Sequence, residues 1–101
     1  MCLAVYVASS VELDIIQWSE RAPGFHLEQA PKRDKVVRQF ALPHVYYVGS
    51  HEGCGCGFIK EGEEGLELEI RQANYIALAG LIREAMARGA SIELFACWEG
   101  D

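Results

Sequence analysis

No stretch of this chain approaches the roughly 18–20 apolar residues that span a bilayer. Its opening, Met1 to Ala8, lacks the basic region that precedes the apolar part of a secretory signal. Those residues are short and alternating and read as a strand. Basic residues are scarce: nine Lys and Arg stand against fifteen Asp and Glu, for a net charge of −6. General nucleic-acid binding needs basic patches facing phosphate, so neither nucleic acid nor membrane is expected as a partner. The one basic cluster, Lys32, Arg33, Lys35 and Arg38, and the acidic one from Glu61 to Glu69 read as solvated surface.

The 101 residues fit one α+β domain covering residues 1–101. Half of them are hydrophobic, enough for a core without covalent staples. The four cysteines are therefore read as reduced thiols of a cytoplasmic protein, not as a disulfide framework.

Strands are expected at residues 2–8, 25–29, 44–48 and 92–98, with another short strand or loop within 30–42. Ser9 and Glu12 have capping-box spacing, and Val11, Ile15 and Trp18 then fall on one helical face. A short helix should end before Ala22-Pro23-Gly24. A longer helix is expected from about Leu66 to Arg88, with Gly89 as its C-terminal cap. Within it Glu67, Arg71 and Asn74 line one face, and Glu67 with Arg71 has ion-pair spacing.

The order strand, helix, strand, strand, helix, strand resembles the ferredoxin-like βαββαβ superfold. That resemblance implies a four-stranded, mainly antiparallel sheet with two helices on one face. The first and third strands are expected to be central and parallel, with the second and fourth at the edges. Cys2 and Cys97 should then meet at one end of the sheet. The loop after the third strand should lie at the other, with Ser9-Ser10, Phe25 and His26. Tyr6, Tyr47 and Phe95 suggest apolar side chains on the helix-free face, to be covered by a second copy in a homodimer or by residues 30–42.

One stretch is chemically unusual, Gly49-Ser50-His51-Glu52-Gly53-Cys54-Gly55-Cys56-Gly57. An imidazole and two thiols lie within six residues, and these are donors that zinc or another transition metal accepts. The glycines free the backbone to wrap around an ion. The expected metal site is His51, Cys54 and Cys56, with His26 as the fourth ligand and Glu52, His44 or water as substitutes. The spacing is not the Cys-x-x-Cys of structural zinc. Copper-carrying ferredoxin-like domains place their thiols after the first strand, where Ala8-Ser9-Ser10 holds none, so their ligands do not transfer. No Walker lysine and hydroxyl follow the glycines, which excludes a phosphate loop.

The leading functional reading is a small binding module that takes a metal through this loop. The alternative is a protein-interaction or regulatory homodimer in which the loop is structural. A third reading is a thiol redox enzyme, through a strained Cys54–Cys56 disulfide or a nucleophilic thiolate. The acidic surroundings of the thiols oppose that chemistry.

Overall fold

Residues 3–19, 21, 24–30, 37, 39–52, 55–58 and 64–98 are described by a computed structural model of the chain. Strands β1 (Leu3–Ser9), β2 (His26–Gln29), β3 (His44–Gly49) and β4 (Ile92–Trp98) form one sheet in the order β2-β3-β1-β4. Helix α1 (Gly65–Ala87) lies between β3 and β4 in sequence. Period-two alternation divides each strand between two faces. Leu3, Val5 and Val7 of β1 and Tyr46 and Val48 of β3 pack with Leu27, Leu78 and Ala85 in the larger core, beneath α1.

Every neighbouring pair of strands is antiparallel. This corrects the expected parallel alignment of β1 and β3: Val5 faces Val48 and Ser9 faces His44. A connection that returns through β2 brings β3 back against β1 in the opposite direction. The turn after β3 therefore lies beside the start of β1. That is the same end as Cys97, which pairs with Ala4, and Ser9-Ser10 is at the far end. The expected neighbourhood of β2 is correct, since His26 pairs with Gly49.

Only one helix occurs among the described residues, not two. Residues 10–19 form bends and irregular chain with one isolated bridge at Ile16, and several of their amides have partners elsewhere. Ser9 Oγ accepts from Val11 N at 3.1 Å, making a local turn where a helix cap was expected. The Leu13 amide donates to the buried Tyr46 hydroxyl at 2.7 Å. Ile16 exchanges two 2.9 Å backbone bonds with Leu27, outside β2. A helix this short is marginal alone, and these tertiary bonds outweigh its pattern.

The second face of the sheet is covered in part by the chain itself. Val37, Phe40 and Leu42 pack with Tyr6 against Ala8, Ala30 and Val45. Phe40 meets Phe95 edge-on at 6.3 Å, and Tyr6 meets Tyr47 at 5.6 Å. Glu93 fixes the cover by accepting from the Ala41 and Leu42 amides, each at 2.9 Å. The described residues 37 and 39–41 are turn-like, with Phe40 N bonded to Val37 O, and they add no strand. Among the described residues, no helix is long and apolar enough to cross a membrane.

Helix α1 ends as its sequence predicts. Gly89 has φ +89°, its amide bonds Met86 O at 3.0 Å, and the Ala90 amide bonds Ala85 O at 3.0 Å. This is a Schellman arrangement, which closes the last carbonyls and needs a residue free to adopt positive φ. Gly80 differs: it is exposed, mid-helix, and a Cβ there would meet nothing within 4 Å. Gly80→Ala should therefore stabilise the domain by about 0.5–1 kcal/mol, whereas Gly89→Ala should cost about 1–2 kcal/mol. Urea midpoints of the two variants check this; shifts in the same direction would contradict the assigned termini.

Candidate functional site

The turn that follows β3 is organised by Ser50, which is fully buried. Its Oγ accepts from the Glu52 amide at 3.2 Å and the Gly57 amide at 3.0 Å. Those bonds fold the chain back into a 3-10 turn at Gly55–Phe58. A Cβ on Gly57 would overlap Ser50 and press on His51 Nδ1, so this glycine is required for close approach. Phe58 then enters the core and meets Tyr75 of α1 edge-on at 5.4 Å.

Helix α1 supplies the polar partners. Glu67, Arg71 and Asn74 share one face, as their spacing predicts. Asn74 is only 3% exposed. Its Oδ1 accepts from the His51 amide at 3.2 Å, and its Nδ2 donates to Ile70 O at 3.1 Å. The same Nδ2 lies 2.8 Å from His51 Nδ1. An amide nitrogen only donates, so His51 Nδ1 must accept, and a neutral ring then carries its proton on Nε2. Nε2 faces Glu67 Oε1 at 3.5 Å and Glu52 Oε1 at 3.9 Å.

Arg71 closes the group. Its Nε donates to Glu67 Oε1 at 2.8 Å, one NH2 to Glu52 Oε1 at 3.0 Å, and the other terminal nitrogen to Cys56 O at 2.8 Å. One guanidinium thus bridges both carboxylates, offsetting one of their two charges, and ties the turn to α1, a task that suits its planar array of donors.

His51, Glu52 and Glu67 each place one donor atom within 4.8 Å of the others, a group able to hold a metal ion. This set differs from the one expected from sequence. His51 belongs to it, but Cys56 and His26 do not. Cys56 Sγ accepts from the Leu3 amide at 3.4 Å and pins the turn to the start of β1. Strand register puts His26 with Gly49 on the face away from α1, whereas His51 bonds to α1. His44 pairs with Ser9 at the far end of the sheet. Cys54 lies outside the described residues, as does Cys2. Glu67, Arg71 and Asn74 were visible in sequence as one helix face, but nothing there marked His51 as their partner. Ser50 carried no signal of its role.

Compared with known proteins, the chain matches no family model, no curated protein and no solved structure. The site is therefore interpreted from its own chemistry.

Gly57→Ala should cost about 1–3 kcal/mol, because the added methyl must displace a buried hydroxyl that accepts two bonds. Asn74→Leu, of similar size, should cost about 1–3 kcal/mol by stranding the His51 amide. Chemical denaturation reads both, and a Gly57→Ala protein as stable as the parent would show that the turn is packed otherwise.

Proposed function

We propose that this chain is a small binding module whose turn at residues 50–58 takes up a divalent transition metal, with zinc the best match to an imidazole among carboxylates and thiols. The observation that carries the proposal is the convergence of His51, Glu52 and Glu67 donor atoms within 4.8 Å. Cys56 follows in the same turn, but its Sγ accepts from the Leu3 amide and stands outside that donor group.

At rest the centre is held by an internal cation. Arg71 occupies the carboxylate oxygens that a metal would need. Uptake through Nε2 also requires the His51 proton to move to Nδ1, against the Asn74 amide. A metal ligand usually donates its second ring N–H to an acceptor, and here it faces a donor. The metal must therefore displace Arg71 and turn Asn74, so affinity in the parent protein is modest.

A second reading is favoured by a separate observation. Strand β4 is the sheet edge, and Leu94 and Trp98 are exposed on the α1 side. A seven-residue edge with exposed apolar side chains is a template for pairing with a second copy. In that homodimer the turn at 50–58 would be structural, and the hydrogen bonds of His51 to Asn74 and of Arg71 to Glu52, Glu67 and Cys56 O support such a role. The strand order and alternating directions also support a ferredoxin-like topology in which the irregular segment 10–19 stands where the first helix was expected.

Zinc titration of untagged protein separates the readings. Under the metal reading the parent binds zinc, His51→Ala does not, and Arg71→Gln binds about tenfold more tightly because its internal competitor is gone. If neither the parent nor Arg71→Gln takes up zinc, the metal reading is wrong. For the dimer, sedimentation should show a concentration-dependent dimer that Leu94→Glu dissociates; a monomer at every concentration would exclude it.

A further inference from the structure

A second site lies away from the turn and is independent of the metal reading. The segment 15–18 runs outside β2, bonded to it through Ile16 and Leu27. Between them is an open cleft of about 610 Å³, lined among the described residues by Ile15, Ile16, Gln17, Trp18, His26 and Glu28. Folding alone leaves two features of it unexplained.

The first is His26. The residue is 4% exposed, and its Nδ1 is buried with no hydrogen-bond partner. Its ring lies over Gly49, where a Cβ would overlap the imidazole. The structure thus makes room for a ring whose nitrogen it does not satisfy, at a cost of about 1–3 kcal/mol. A native structure keeps such a group for a reason, and a ligand is one.

The second is the wall. Ile15, Ile16 and Trp18 are 49%, 39% and 38% exposed, all in one short stretch. Trp18 is nonetheless fixed, because its Nε1 donates to His51 O at 3.2 Å. A pinned indole beside exposed aliphatic side chains is a preformed apolar surface, and its ordering cost is met in advance.

Charge selects the ligand class. Among the described residues Glu28 is the one formal charge in the lining, and the whole chain carries −6. An ammonium offers donors only, which suits a carboxylate and, in the tautomer with its proton on Nε2, the bare Nδ1 of His26. An indole face also attracts cations. We infer that this cleft binds a small organic cation with an apolar body, of the arylalkylamine class. The body lies against Ile15, Ile16 and Trp18, and the ammonium lies between Glu28 and His26.

Phenethylamine and phenylacetate are matched probes, with the same ring and opposite charges. The Trp98→Phe protein leaves Trp18 as the sole indole, since the chain has two tryptophans. Its fluorescence should change saturably with phenethylamine, and phenylacetate should bind about tenfold more weakly or worse. Glu28→Gln, an exposed substitution that leaves the core alone, should abolish that preference. The inference is overturned by any of three results. They are no saturable change with either probe, equal binding of both, or a preference that survives Glu28→Gln. A dimer in sedimentation whose formation shields Trp18 and excludes both probes would assign the cleft to a second copy, and would overturn it too. Zinc uptake plays no part in these outcomes, so this inference and the metal reading fail separately.

Discussion

Asn74 is the polar residue buried in the apolar face of α1, and its carboxamide engages His51 twice, at the backbone amide and at Nδ1. A carboxamide buried this deeply must use its polar atoms or cost stability, so the contact also fixes the rotation of α1 about its axis. Once Asn74 is placed, Arg71 falls one turn nearer the helix start and Glu67 one turn nearer still. Both then face the same turn of chain. The ion pairs of Arg71 are partly exposed and contribute little to stability individually. Their importance is positional, since they put two carboxylates beside Nε2 of a ring that Asn74 has already oriented.

The sheet supplies the other half of the placement. Because β1 and β3 are antiparallel, the turn after β3 returns to the start of β1, and Cys56 accepts a bond from Leu3 there. Ser50 holds the return tightly, and Gly57 permits it. Trp18 reaches the same turn through the His51 carbonyl. The backbone of one histidine therefore connects α1, β3 and the segment beside β2.

Much of this architecture was legible in the sequence, for physical reasons. His44 to Val48 and Ile92 to Trp98 read as strands because β-branched and aromatic residues suit a pleated, half-buried surface. Gly89 read as a helix terminus because only a residue tolerant of positive φ closes α1 in this way. The segment after Ser9 misled, since its helical pattern is real but short. A Tyr46 hydroxyl and the Leu27 backbone, distant in sequence, claimed its amides. The site was legible by halves. His51 stood out in its glycine–cysteine loop, and Glu67, Arg71 and Asn74 stood out on their helix face. Joining the halves required knowing which end of the sheet the turn occupies, and that depended on strand direction. Arg71 as an internal counter-ion was invisible for the same reason.

The orientation of the His51 ring is the most direct test of this arrangement. Long-range proton–nitrogen correlation spectra of the metal-free protein distinguish a protonated ring nitrogen from a bare one. With Asn74 donating to Nδ1, the neutral His51 ring should carry its proton on Nε2, and that preference should disappear in Asn74→Leu. A proton found on Nδ1 in the parent protein, or a ring that samples both forms equally, would mean that Asn74 does not hold it.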